Sequence, residues 1–336
     1  LKLRVFFILG FILCCLPINT FAQDEVAPLA IEPIYPDNQQ PETKGYFNLL
    51  VEPGETQAIE LKVTNNLDTE LTLTGSTANA YTHPTGGMLY GTDINSESSR
   101  LLDDAVLIAD LIEIEENITI PPQSSVNVPI EITVPEEDGQ TFLGAVVLTT
   151  EPTDTAMEET TEADSANVIL NTETSYTVAL QLNLPDETTP DFSLGEAGFI
   201  NETGEVFIEM TNNAHLIQEE IIGTYDVSNQ EGTELFKGEI PSFKMAPKSQ
   251  IRYPVPWGNE TLDDGTYNLT LSGTAGGEAF SASETFTIEN KDIQEFEEKN
   301  LPNTNTSDNN GIPIWVWFVG AFVFGILMFV IGKKAK

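Results

Sequence analysis

The sequence predicts an all-β protein, with two tandem immunoglobulin-like β-sandwiches between an N-terminal signal peptide and one C-terminal transmembrane helix. Three observations lead there. Between positions 34 and 290 apolar residues recur at every second position in short runs, the period of a half-buried strand. Turn residues containing proline or glycine stand just ahead of several of these runs. The only long uninterrupted apolar segment lies at the carboxyl end.

The ends come first. Lys2 and Arg4 precede an apolar run over 5–16, and Thr20-Phe21-Ala22 offers small residues for cleavage, so 1–22 reads as a secretory signal peptide. Residues 23–33 form a leader. Residues 312–332 are 21 positions without a charge, a helix of roughly 31 Å that matches a bilayer core. Trp315 and Trp317 stand at its outer end. Lys333, Lys334 and Lys336 follow it, which places the tail 333–336 in the cytoplasm and everything before the helix outside. Residues 291–311 read as a stalk. Within them Leu301-Pro302-Asn303-Thr304-Asn305 is similar to the LPxTG sorting signal, with Asn305 where that signal has glycine.

Charge narrows the function classes. The chain of 336 residues has 14 basic and 53 acidic residues, a net charge of -39. Nine of the basic and all of the acidic residues fall within 23–311. Such a polyanion cannot assemble a phosphate-neutralising surface, so no nucleic acid is expected as a partner. Both cysteines, Cys14 and Cys15, lie in the signal, which leaves the mature chain no thiol for a disulfide or metal site.

The strands carry the two domains. Ile59, Leu61 and Val63 alternate with polar residues, as do Val126, Val128, Ile130, Ile132 and Val134, and Tyr176, Val178, Leu180, Leu182 and Leu184. Val206, Ile208 and Met210, then Tyr267, Leu269 and Leu271, continue the pattern. One face of each goes to a core and the other to water. Turns at Pro53-Gly54, Pro121-Pro122-Gln123-Ser124 and Pro247-Lys248-Ser249 each precede a strand. The first sandwich is expected over 34–185 and the second over 186–290. The acidic stretch 151–166 has no period and reads as a surface loop of the first domain. A short helical candidate spans 101–112, as a connection between strands.

Little in the chain points to catalysis. Its two histidines, His83 and His215, sit in turn-like segments, and no G-x-S-x-G, S-x-x-K or H-E-x-x-H occurs. Asp263-Asp264-Gly265 and Glu136-Glu137-Asp138-Gly139 lack calcium-loop spacing and read as turns. No catalytic residue, metal site or cofactor is expected. Two sets of binding residues stand out. Tyr46, Phe47, Tyr81 and Tyr90 are aromatics that stack on sugars if exposed and fill a core if buried. Lys237, Lys244, Lys248 and Arg252 fall within sixteen positions, a positive island for an acidic partner or a solvated face that relieves self-repulsion.

Ile34-Tyr35-Pro36, Gly45-Tyr46-Phe47-Asn48-Leu49, Thr64-Asn65-Asn66, Asn79-Ala80-Tyr81-Thr82 and Phe142-Leu143-Gly144-Ala145 resemble the first module of the WxL-interacting protein family. Met245-Ala246-Pro247-Lys248-Ser249, Tyr253-Pro254-Val255-Pro256-Trp257 and Asp264-Gly265-Thr266-Tyr267 resemble its second. The resemblance covers nearly the whole chain. It implies a Gram-positive cell-surface protein whose first domain binds peptidoglycan. The second would bind WxL-domain surface proteins or host extracellular matrix proteins. Trp257, in the second module, joins the cations as a candidate partner contact. The alternatives are a cell-wall enzyme or metal-dependent accessory, and a structural surface spacer.

Overall fold

The computed structural model describes residues 27–92, 94–151, 153–156, 169–259 and 261–300. The signal peptide, the LPNTN pentapeptide, the apolar run 312–332 and the lysine tail lie outside them. Among the described residues no helix is long and apolar enough to cross a membrane. The fold is all-β.

Alternation does what it predicts. In the first sandwich Ile59, Leu61 and Val63 lie opposite Ile130, Val128 and Val126 in a register that runs unbroken from Thr56 opposite Thr133 to Asn65 opposite Ser124. This sheet orders Leu29–Ile34, Thr56–Asn65, Ser124–Thr133 and Ile112–Ile114. The facing sheet orders Phe47–Leu50, Ser175–Asn183, Thr141–Thr150, Leu71–Thr82 and Met88–Gly91, with Asn117–Ile120 also on Leu71–Thr82. Val178, Leu180, Leu182, Phe142, Val146 and Leu148 close the core from that side. Pairing is antiparallel except that Phe47–Leu50 runs parallel to Ser175–Asn183. Leu29–Ile34, most of it placed by sequence in a leader, is an edge strand of this domain.

The second sandwich packs Phe192–Ile200, Glu205–Asn212 and Ser249–Pro256 against Glu234–Met245, Gln218–Asn229, Gly265–Ala275 and Glu278–Ile288. Val206, Ile208, Met210, Leu269, Leu271 and Phe286 are buried between them. The sheet with Ser249–Pro256 has a fourth strand, and the first domain supplies it. Ser99–Leu101 pairs antiparallel with Ser249–Ile251.

That loan fastens the two domains. The Thr82 and Ser249 hydroxyls are 2.5 Å apart and buried, and Ala246 N–H donates to Thr82 Oγ1 at 2.8 Å. Leu102 N–H donates to the Lys248 carbonyl, while Gln140 and Thr141 N–H both donate to the His215 carbonyl. Buried backbone groups need such partners, and here each domain satisfies the other's.

Two segments differ from the sequence expectation. The helical candidate at 101–112 is only a 3-10 turn over Ile108–Leu111. Leu101 is drawn into the strand loan, and Ala109 bonds sideways, its N–H to Asn79 Oδ1 and its carbonyl to Thr77 Oγ1. Tertiary partners therefore replace the helical ladder. The helix that does form is Asn290–Asn300, where the sequence suggests a stalk. Asp292 Oδ2 accepts the Glu289 N–H at its start, Ile293 packs on the second core, and Lys299 meets Glu202 at 2.9 Å. Gly204, at φ 71°, lets the Phe296 ring lie where a Cβ would stand. Of the acidic stretch 151–166, residues 157–166 lie outside the described residues, and Thr153–Ala156 near its start pairs antiparallel with Ile169–Thr172 beyond it.

Candidate functional site

The outer face of the first domain's larger sheet gathers the chemistry that the aromatic residues promised. Side chains alternate between faces along a strand. Phe47 and Leu49 point into the core, so Tyr46 and Asn48 point outward. On the neighbouring strand Leu180 and Leu182 are inside, and Ala179, Gln181 and Asn183 are outside. Register then carries this face across the sheet: Ala179 lies opposite Ala145, Ala145 opposite Ala78, and Ala80 opposite Tyr90.

The result is a floor of small residues with a tyrosine at each edge, Tyr46 in the bend just before Phe47–Leu50 and Tyr90 on Met88–Gly91. Ala78 and Ala145 are 0% exposed and Ala80 4%, although they lie on the outer face. Tyr46 and Tyr90 are half-buried over it. Burial, with a contribution from the neighbouring Tyr46 phenol, pushes the Tyr90 hydroxyl up to about 12, so it is a neutral donor at physiological pH. A floor of larger side chains would leave the rings no room to lie low.

Beside Tyr46 runs a row of amides. Asn183 Nδ2 donates to Asn48 Oδ1 at 2.6 Å and to the Leu49 carbonyl at 3.0 Å. Gln181 Nε2 donates to Asn183 Oδ1 at 2.8 Å, and Asn48 Nδ2 to Thr43 Oγ1 at 2.9 Å. Gln39 fixes the start of this edge, donating to the Tyr46 carbonyl and accepting the Asn48 N–H. The amides are thus held in one orientation. Flat phenol rings next to ordered amides offer stacking to a sugar face and hydrogen bonds to hydroxyl and acetamido groups.

Of the four aromatics singled out in the sequence, two lie on this face and two do not. Phe47 and Tyr81 are 1% and 2% exposed and belong to the interior, so neither can touch a glycan. Tyr46 and Tyr90 do share a face. Asn48, Gln181 and Asn183 were missed; their signal was the polar side of strands whose apolar side had been read.

The cations of the second domain do not form one island. Lys237 and Lys244 lie on Glu234–Met245, Arg252 lies on a strand of the opposite sheet, and Lys248 occupies the turn before it. Each already has a carboxylate. Lys237 meets Glu234 at 3.1 Å, Lys244 meets Glu219 at 2.7 Å, and Lys248 meets Asp104 of the first domain at 2.6 Å. The Lys248 ammonium holds the Asp104 carboxyl below its ordinary range. Arg252 bridges Glu97 at 3.0 Å and Glu209 at 3.5 Å. Trp257 is wedged edge-on against Phe236 and Tyr267, both at 5.2 Å, with its indole N–H on the Thr261 carbonyl. Residues close in sequence were split by the sandwich, and the polyanion had already neutralised them.

Among the described residues no three His, Cys, Asp or Glu side chains converge to hold a metal. His83 bonds Thr85 in a turn, and His215 lies at the junction against Phe142.

Comparison with known proteins adds two family matches. A model described as WxL Interacting Protein, peptidoglycan binding domain, matches residues 29–150. One described as WxL Interacting Protein, host binding domain, matches residues 165–298. No protein of curated function matches the chain. Solved structures include the CsuC-CsuE chaperone-tip adhesion complex of Acinetobacter baumannii, 11% identical, covering 78% of this chain and 100% of that one at a TM-score of 0.36. The E. coli chaperone DraB is 13% identical, covering 78% of this chain and 95% of that one at a TM-score of 0.31.

Proposed function

The chain belongs to the WxL-interacting protein family, and from that premise we propose that it is a non-enzymatic binding protein of the Gram-positive cell surface. Its first domain grips wall peptidoglycan, and its second holds a WxL-domain or host matrix protein. The apolar run 312–332 and the lysines after it support a single membrane anchor.

One observation carries the wall-binding part: Tyr46 and Tyr90 resting on an alanine floor beside the Asn48, Asn183 and Gln181 amides. A broad, shallow platform suits a polymer, which must be held anywhere along its length. Retention of purified 23–300 on isolated cell walls tests the reading, with an unrelated β-sandwich as control. Retention no better than the control, or unaltered when both tyrosines become alanine, counts against it.

A further inference from the structure

A trough crosses the outer face of the second domain's four-strand sheet, just where the first domain lends its strand. Its two halves are recesses of about 620 and 570 Å3, and Glu97 and Arg252 line both. Arg100 and Arg252 are the only arginines among the described residues, and both stand on this face. Arg100 lies opposite Gln250, and Arg252 follows two positions along the same strand.

The two guanidiniums are prepared differently. Arg252 lies 4.6 Å from the centre of the Phe207 ring, with Nε directed at Glu209. Its plane is thereby fixed, and its terminal nitrogen meets Glu97. Arg100 gives Nε to Gln250 at 2.6 Å. Seven of the nine lysines and arginines among the described residues have a carboxylate within 4.0 Å, and Arg100 is not one of them. In a chain of net charge -39 this is unusual.

Glu97 is the informative member. Its side chain is 89% exposed, it comes from the loop ahead of the lent strand, and it reaches over the trough to Arg252. An exposed ion pair of this kind contributes little, so an incoming carboxylate displaces it at small cost.

We propose that the trough takes the carboxyl terminus of an extended partner polypeptide, whose carboxylate replaces Glu97 on Arg252 and bridges to Arg100. The planar carboxylate matches the guanidinium fork. The recess lined by Asn201, Thr203 and the Phe207 ring beneath Arg252 receives the residues before it. A single terminus suits this site better than an acidic stretch, because further negative charge would meet Glu209, Asp103 and the acidic surroundings. The inference rests on the reading of the second domain as a protein-binding module and names what that module grips.

The full chain, labelled with nitrogen-15 arginine only, tests it in detergent solution. The probes are acetyl-L-Ala-L-Ala and acetyl-D-Ala-D-Ala, each with a free or amidated carboxyl end. The L-peptide acid is expected to shift the Arg100 and Arg252 Nε signals, and its amide to leave them in place. Glu97→Gln should tighten binding about threefold by removing the internal competitor, and Arg100→Gln should weaken it about tenfold. Equal shifts with the amide, no shift with any probe, or no gain in Glu97→Gln overturns the proposal. A preference for the D-peptide acid also overturns it, because the trough would then belong to wall stem peptides. Capture of a surface protein from the same cells, read in parallel, separates the two failures. If capture survives Arg100→Gln while the peptides are silent, the trough is wrong and the protein-binding reading stands.

Discussion

Asn65 and Asn212 hold the same post in their two sandwiches. Each is the first asparagine of a Thr-Asn-Asn run that ends a strand, and each side chain is buried. Asn65 donates to the Thr69, Ile120 and Pro121 carbonyls and accepts the Leu67 N–H. Asn212 donates to the Leu216 and Ala246 carbonyls and accepts the Ala214 N–H. The proline turn that each one ties down is also repeated. Gln123 and Lys248 both have positive φ, 52° and 50°, and Ser124 and Ser249 each return a 2.7 Å bond to the carbonyl three residues back. Both domains are therefore closed by one device, with the turn and the strand end locked by an amide.

From this the first prediction follows. Asn65→Ala removes the amide that ties the strand end to the Thr69, Ile120 and Pro121 carbonyls and the Leu67 N–H, and strips the buried Ile120 carbonyl of that donor, which should cost about 3 kcal/mol. Asn212→Ala should cost about the same in the second domain. Urea unfolding of each variant checks this. A loss under about 1 kcal/mol would mean that water replaces the amide.

Core strands such as Thr56–Asn65 and Ser175–Asn183 could be read directly, because burial on one face forces the two-residue period. The lent strand Ser99–Leu101 could not: three residues leave no period, and its partners lie about 150 positions away. The helix Asn290–Asn300 was masked by its charge, since only Ile293 and Phe296 mark its inner side. At the candidate site the tyrosines were visible as residue types. That Phe47 faces inward while Tyr46 faces outward depends on strand phase, which the motif alone does not give.

A second prediction concerns the tyrosine platform. Tyr46→Ala and Tyr90→Ala should each weaken wall retention about tenfold, near 1.4 kcal/mol, while Tyr90→Phe, which keeps the ring, should keep most of it. The measurement is a binding isotherm on purified walls, with circular dichroism to confirm folding. Ala145→Leu offers the converse test. It fills the floor, lifts the rings, and should lower retention without removing a phenol.

Thr82 bears the third. Its hydroxyl takes the Ala246 N–H and meets Ser249, across the domain boundary and away from water. Thr82→Val keeps the shape and orphans a buried donor, which should cost about 2 kcal/mol. Because the lost bonds join the two domains, scanning calorimetry should show unfolding that is broader and divided, with a lower first midpoint. A single, equally sharp transition would show that the strand pairing alone fastens the domains.

His215 gives the junction a pH dependence whose sign can be worked out. Its Nδ1–H donates to the Asp138 carbonyl at 3.1 Å, its ring lies 5.0 Å from Phe142, and its Nε2 is buried without a partner. Burial drives its pKa below the ordinary 6.5, and the nearby Lys248 ammonium adds to that, against the opposing Asp138 bond and the Asp104 and Glu137 carboxylates. The folded state therefore binds the proton less readily than the unfolded chain does. The stability owed to the neutral imidazole is fully present above pH 6.5 and is lost as pH falls from there toward the depressed folded value. Thermal unfolding at a series of pH values should show the midpoint falling through this window, before most carboxylates begin to titrate. His215→Gln, which keeps a donor for Asp138 but cannot gain a charge, should flatten that slope. If the slope persists in His215→Gln, the titrating group lies elsewhere, and the lone Nε2 at the junction has no part in it.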